Sequence, residues 1–419
     1  MTRILMLMPY QQYVRKAVAE GFQVYAIWDP SYESPAYLDA VAAHAEELIL
    51  ADFSDVAALR RLVAETARRH DVAHVLHLGK EDTQWAVCDE AGSLGLAPNP
   101  PSAIRQINDK AAMRGLLREH GLSPVRFAAV DSPAEVPRVL GAFDLPVVVK
   151  PTGLDGSRAV RLVRDRADLD EWAQSLDAYG YTGPVLVEER LRGPEFSVET
   201  LTADGTHHVL GVTAKRLGPP PGFVEAGHLH PAPLTEAVWA SMTGLVTAFL
   251  DAAGYRFGPA HTEVILTAGG PRIVESQTRV GGDRIPLLIE LATGFDVEAA
   301  VYRALRGEPA RPPAAERMGC VEFFDLGPGL LESLDGLDEI EALPYVHALK
   351  VKFQPGDVLP PVTDSRTRHG YVVVDADSPG QAAERCAAAL SLLRAVVRPA
   401  EADHQRPAGH EREREGALS

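Results

Sequence analysis

Residues 261–283 read HTEVILTAGGPRIVESQTRVGGD, and the two β-rich runs flanking Ala268-Gly269-Gly270 have the composition of a hairpin. Pairing outward from a bend centred on Gly269 sets Glu263 against Glu275 and His261 against Gln277. Side chains alternate along a strand, so Glu275, Gln277 and Arg279 project to one side. Directly opposed residues have Cβ atoms about 5 Å apart, and like charges there repel, at a cost on the order of a few kcal/mol. A divalent cation offsets that cost. Mg²⁺ takes hard oxygen ligands and is commonly held by one or two carboxylates together with phosphate oxygens of a substrate. Glu263 and Glu275 are therefore the candidate metal ligands, Gln277 offers a third oxygen, and Arg279 would reach an anion beyond the metal. Gly281 and Gly282 would let backbone amides approach an anionic group closely.

The chain around this hairpin has 419 residues, enough for roughly two to four domains. Its 46% hydrophobic and 24% charged content is that of a globular protein. A formal charge of −17 repels polyanions and argues against a nucleic-acid partner. Cys88, Cys320 and Cys386 are far apart and lack the paired spacings of zinc or redox sites. The apolar run Ile4–Met8 is shorter than a signal-peptide core, and no stretch is long enough to span a membrane. A soluble, cytoplasmic protein is the expectation.

Strand, helix and strand signals at Ile4–Met8, Val14–Glu20 and Gln23–Trp28, then a helix over Val56–His70 and a strand over Val72–Leu78, predict a doubly wound α/β domain over residues 1–104. Neither a G-x-G-x-x-G turn nor a P-loop is present. Ala97-Pro-Asn-Pro-Pro101 breaks the pattern, and Asn108-Asp109-Lys110 opens a helix with capping residues. Residues 105–310 form the expected central domain. The Pro/Ala/Arg-rich stretch 308–315 is the expected linker to a small α+β domain over 311–399. Its strands are expected near 320–325, 348–353 and 371–374, with a helix near 380–397. The charged tail 400–419 is expected to be disordered.

Two further stretches carry nucleotide chemistry. Leu145-Pro-Val-Val-Val-Lys-Pro151 is a short buried-type strand ending in Lys150, followed by a loop containing Gly153, Gly156 and Ser157. A lysine beside free loop amides suits phosphates. Pro184-Val-Leu-Val-Glu-Glu-Arg-Leu191 is a strand running into Glu188 and Glu189, with Leu191 beyond them. Strand-end backbone groups and one carboxylate there can read a base, and Glu195 can bind ribose hydroxyls. Lys110 is a second phosphate candidate. A stiff, proline-rich segment, 215–231, carries Lys215, Glu225, His228 and His230 and is expected as a loop near the site.

In this order and spacing, Lys110, Lys150 with its loop, Glu188/Glu189, Glu195, Glu263, Glu275 and Arg279 resemble the ATP-grasp superfamily over roughly residues 105–300. The resemblance implies an ATP-grasp fold, with a nucleotide clamped between two α+β subdomains behind an N-terminal doubly wound domain. It implies ATP phosphates on Lys110 and Lys150, adenine at Glu188 to Leu191, ribose at Glu195, and Mg²⁺, or Mn²⁺ in its place, on Glu263 and Glu275. Gln277 departs from the asparagine usual at its position. Phe223-Val-Glu-Ala-Gly-His228 followed by Pro231-Ala-Pro is similar to loops of the L-amino acid ligase branch. The implied activity joins a carboxylate, activated as an acylphosphate, to an amine, with amino acids as substrates and dipeptides as products. Catalysis falls to Arg279, Lys150 and Lys215. Substrate binding falls to Glu225, His228, His230, Arg279, Gly281 and Gly282, and a homodimer is compatible with this reading. A bicarbonate-using carboxylase of the same superfamily and a non-catalytic nucleotide-binding protein are the alternatives.

Overall fold

The computed structural model describes residues 1–79, 84–154, 156–218, 223–308 and 312–399. The expected tail, the centre of the expected linker and residues 219–222 lie outside these. Among the described residues the strands form four sheets. No helix among them is long and apolar enough to cross a membrane.

The first sheet is parallel, in the order β3-β2-β1-β4, with β1 at Thr2–Leu7, β2 at Phe22–Trp28, β3 at Glu47–Leu50 and β4 at His74–Leu76. Ile4, Leu5, Met6 and Leu7 are all buried, because helices cover both faces of a parallel sheet and its strands need no alternation. The helix Val56–His70 starts where Asp55 accepts a hydrogen bond from the Ala58 amide at 2.9 Å, an N-cap legible in the sequence. The helix Pro35–Ala42 and strand β3 carry weaker patterns that the sequence reading passed over.

The second sheet is antiparallel, in the order β5-β8-β6-β7, with β5 at Phe127–Val130, β6 at Val147–Pro151, β7 at Arg161–Val163 and β8 at Val185–Glu189. Its apolar face buries Val147, Val149, Val185 and Val187 against Leu169 and Trp172 of the helix Arg166–Ser175. Lys150 and Glu188 fall on the other face.

The largest sheet has eight strands in the order β13-β12-β9-β10-β11-β14-β18-β16. They are β9 (Glu195–Ala203), β10 (Thr206–Leu217), β11 (Glu225–His230), β12 (Gly258–Thr267), β13 (Gly270–Gln277), β14 (Met318–Phe324), β16 (Val346–Val351) and β18 (Gly370–Ala376). One face packs Phe196, Val198, Val212, Val264 and Ile273 on Met242, Val246, Phe249 and Leu250 of the helix Glu236–Ala253. Truncating any one of these side chains to alanine costs about 2–5 kcal/mol. The alternation that buries Phe196 and Val198 turns Glu195, Ser197 and Glu199 to the opposite face.

Two expectations are corrected. Residues 215–217 end β10 and residues 225–230 form β11, paired Lys215 to His228, so the four candidate residues sit on strands and not on a loop. The small C-terminal domain is present and joins the large sheet: β14 pairs with β11, and that sheet runs on through it. The expected helix over 380–397 ends at Ser391. Arg394–Arg398 instead forms β19, which pairs with β15 (Gly329–Asp335); β17 (Val358–Leu359) lies on the other edge of this third antiparallel sheet. Val396 and Val397 are β-branched residues that fit a strand better than a helix end.

Candidate active site

The hairpin register places Glu263 opposite Glu275 and His261 opposite Gln277, as pairing outward from the glycines requires. Nearer the bend the pairing slips by one residue. Val264 pairs with Ile273 and Thr267 with Gly270, leaving Ala268-Gly269 as the loop. Val274 takes up the slip as a bulge, and a bulge frees backbone groups from the ladder. Its carbonyl accepts from Lys150 Nζ at 3.3 Å and Arg114 Nη2 at 3.3 Å, and the Ile273 carbonyl accepts from Arg114 Nη1 at 2.6 Å. The bulge thus joins the small sheet to the large one.

A row of polar residues crosses the large sheet from β13 to β11. Lys215 is its hub. Its ammonium, almost fully buried, meets Glu195 at 2.9 Å, Glu225 at 3.2 Å and Glu263 at closer range, one carboxylate for each N–H. Burial penalises that ammonium, but Glu263, Glu195 and Glu225 hold its pKa well above the usual value. Burial likewise penalises the Glu263 carboxylate, while Lys215 and His261 hold it well below the usual range. Glu195 is pushed up by burial, which together with the charges of Glu263 and Glu225 outweighs the lowering by Lys215. His261 Nδ1 lies 2.7 Å from Glu199 Oε1, and its Nε2 is 3.6 Å from Glu263. Burial works against the charged imidazole, but Glu199 and Glu263 raise its pKa to about 9.

The lysines come from either side. Asp109 caps the helix Lys110–Glu119 by accepting from the Ala112 amide at 2.7 Å, which puts Lys110 in its first turn. Lys110 Nζ lies 3.4 Å from Glu275 and 3.4 Å from the Leu154 carbonyl. Asn108 accepts from the Thr278 amide at 2.8 Å and donates to its hydroxyl at 3.0 Å, so the same tripeptide fixes the residue preceding Arg279. Lys150 Nζ is 2.7 Å from Glu188, whose other oxygen accepts from Arg114 Nε. Burial alone would raise the Glu188 pKa; Lys150 and Arg114 hold it down at about 2. The Glu188 carboxylate is thus committed to two cations rather than open at a strand end. Glu189 faces the other way and accepts from the Arg126 amide at 2.8 Å, while the backbone of Leu191 continues past the strand end.

The glycine loop is braced from outside. The Gly153 amide donates to Tyr181 Oη at 3.2 Å, Ser157 Oγ donates to the Phe223 carbonyl at 3.0 Å, and the Gly156 carbonyl accepts from the Ser365 amide at 3.3 Å. Ser365 Oγ in turn donates to Glu225 at 3.1 Å.

Arg279 donates to the Val280 carbonyl at 3.0 Å and begins a turn that folds back over the polar row. A Cβ on Gly281 would stand 3.0 Å from Glu199 Oε2 and 3.0 Å from His261 Nδ1, whereas one on Gly282 would meet nothing within 4 Å. His228 Nε2 lies 3.1 Å from Asp283. His230 is buried beneath the row, 3.0 Å from Thr213 Oγ1, and burial lowers its pKa to about 4.

The donor set suits a hard divalent cation. Gln277 Nε2 donates to Glu275 Oε1 at 2.7 Å and leaves its own Oε1 buried without a hydrogen-bond partner. An orphaned amide oxygen beside two opposed carboxylates is what a metal ligand looks like before the metal is counted. Among the described residues no group of three or more His, Cys, Asp or Glu side chains is arranged to hold a metal ion; two carboxylates and an amide leave the remaining positions to other oxygens.

Sequence reasoning missed Arg114, Glu199, Ser365, Asp283 and Arg368. Arg114 was within reach, since it lies one helical turn from Lys110 and shares its face. Ser365 and Arg368 come from the C-terminal unit and carry no local signal.

Residues 143–286 match the ATP-grasp domain family, and residues 322–398 match the family described as L-amino acid ligase C-terminal domain 2. The uncharacterized protein y4rH of Sinorhizobium fredii is 30% identical over 355 residues, covering 82% of this chain and 72% of that protein. A phosphoribosylamine–glycine ligase of Methanobrevibacter smithii is 29% identical over 46% of this chain, an alignment spanning 50% of that enzyme. Among solved structures, an L-amino acid ligase from Bacillus licheniformis superposes with a TM-score of 0.79 at 23% identity, over 95% of this chain and 99% of that one. N5-carboxyaminoimidazole ribonucleotide synthetase from Thermotoga maritima gives 0.70 at 18% identity, over 95% and 100%. At these identities the structural likeness is one of fold.

Proposed function

The chain belongs to the ATP-grasp superfamily and carries an L-amino acid ligase C-terminal domain, and from that premise we propose that it is an ATP- and Mg²⁺-dependent carboxylate–amine ligase acting on amino acids or amino-acid-like acids in the cytoplasm. The observation that carries this reading is the opposition of Glu263 and Glu275, with the unpartnered Gln277 Oε1 beside them and Lys110 and Lys150 on the same side.

In this reading Lys110 and Lys150 take the phosphates of ATP, and the backbone around Glu189 and Leu191 takes the adenine. Glu188 keeps Lys150 aimed. Glu195, with Lys215, closes the far end of the nucleotide cleft. Glu263, Glu275 and Gln277 Oε1 would hold Mg²⁺, which when bound supplies charge neutralisation at the transferring phosphoryl group. One carboxylate oxygen of the acid substrate displaces ADP at the γ-phosphorus. The amine then attacks the acyl carbon, phosphate leaves, and the amine gives up a proton. Arg279 stabilises the oxyanion formed in that second step. Three carboxylates share Lys215, an acidic surplus that suits an ammonium group arriving near Glu225, with His228 alongside.

The test is ADP release from MgATP with pooled amino acids, followed by mass spectrometry of the products. Amino-acid-dependent ADP and a condensed product are expected. No ADP from a broad panel of amino acids and amines would sink the reading. Bicarbonate-stimulated turnover without an amine would replace it with a carboxylase, and nucleotide binding without turnover would replace it with a binding protein.

A further inference from the structure

Asp283 and Arg284 are consecutive residues with φ of 53° and 65°. Side chains other than glycine rarely adopt the left-handed region, and such backbone persists only where its surroundings hold it. The holding groups can be named. Arg368 grips Asp283 with both terminal nitrogens, Nη1 to Oδ2 at 2.8 Å and Nη2 to Oδ1. His228 Nε2 adds the contact at 3.1 Å. Arg284 Nε donates to Tyr371 Oη at 2.6 Å. Two of these three partners, Arg368 and Tyr371, belong to the C-terminal unit.

Arg368 is itself built into place. It is 7% exposed, its Nε donates to the Ser365 carbonyl at 3.0 Å, and its guanidinium lies 3.7 Å from the centre of the Phe323 ring. Asp364 organises the loop beneath it, accepting from the Arg366 amide at 2.9 Å and the Thr367 amide at 3.0 Å. The turn that Arg368 restrains begins at Arg279 and presses Gly281 against Glu199 and His261.

We propose that Arg368 is a positioning residue: it holds the Asp283–Arg284 turn in its left-handed form and thereby fixes the segment from Arg279 onward, with Gly281 against the Glu199–His261 pair. The catalytic consequence rests on the ligase reading above. The structural consequence does not.

The experiment uses the full chain with MgAMP-PNP and follows hydrogen exchange in residues 279–286. Arg368→Ala should speed exchange there by about tenfold or more while residues 198–203 stay unchanged. Arg368→Lys keeps the charge but not the paired contact and should give an intermediate rate. Asp283→Gly added to Arg368→Ala should restore slow exchange, because glycine accepts positive φ and no buried carboxylate is left unpaired. Should Arg368→Ala fail to fold, Arg368→Lys and the double variant decide. Wild-type exchange in Arg368→Lys and Arg368→Ala would overturn the proposal. In the kinetic arm, with MgATP and pooled amino acids, Arg368→Lys should lower kcat about tenfold with KM for ATP unchanged. A raised KM with unchanged kcat would overturn it too. A wild-type chain that releases no ADP defeats the ligase reading, and the exchange result still decides whether Arg368 holds the turn.

Discussion

Glu263 lies directly opposite Glu275 across the hairpin, yet the two carboxylates answer to different cations, Glu263 to Lys215 and Glu275 to Lys110 at 3.4 Å. Burial would raise both, and the cations keep both ionised. Both carboxylates thus stay charged at neutral pH, as the proposed Mg²⁺ site requires. Glu275→Gln and Glu263→Gln should each lower Mg²⁺-dependent ADP release by a hundredfold or more, on the scale of losing one main electrostatic group. Calorimetry should show MgADP binding weakened while Mg²⁺-free ADP binding changes little. Full activity of Glu275→Gln at ordinary magnesium would remove the metal assignment.

Arg114 is 1% exposed and binds Glu188 as well as the carbonyls of Ile273 and Val274. Arg114→Ala leaves a buried carboxylate with Lys150 alone and two carbonyls without their donor. Breaking such a pair costs about 3–5 kcal/mol. Urea denaturation should show that loss, and Arg114→Met with Glu188→Gln should recover part of it. A change below about 1 kcal/mol in the single variant would mean that water replaces the guanidinium at little cost.

The hairpin was legible because its chemistry is local. Alternation, a glycine bend and opposed acids are all written within residues 261–283, and the register follows from them. The bulge at Val274 is not legible locally, since the cations that meet its freed carbonyl come from Arg114 and Lys150, far away in sequence. Lys215, Glu225, His228 and His230 lie on paired strands and not on the expected loop, because the prolines at 219–221 dominate the local pattern and conceal the strands on either side. Arg368 had no signal at all: its partner Asp283 is 85 residues away, and only the folding of the C-terminal unit onto β11 brings them together.

The charge on His261 gives the stability a pH dependence in a defined window. Its pKa is about 9 in the folded chain against an ordinary 6.5. A raised imidazole contributes stability that is complete below about 6.5 and is lost as pH rises through about 9. The unfolding free energy from urea titration should fall across that interval, by an amount on the order of 3 kcal/mol at most. His261→Gln should flatten this slope, as should Glu199→Gln, which removes the principal partner. A slope unchanged in both variants would place the titrating group elsewhere.

Gly281 and Gly282 are adjacent and chemically identical, yet the structure separates them sharply. An alanine methyl at 281 would stand 3.0 Å from Glu199 Oε2, 3.0 Å from His261 Nδ1 and 3.1 Å from Ile285 Cβ. The neighbours must give by a few tenths of an ångström, and two of them form the ion pair that steadies Glu263. Position 282 is open, with nothing within 4 Å of an added Cβ. Gly281→Ala should therefore fold but lose about tenfold or more in ADP release, since small displacements of a positioned group are costly to rate. Gly282→Ala should match the wild type within about twofold. Equal kinetics in the two variants would show that the turn rides above the Glu199–His261 pair without bearing on catalysis.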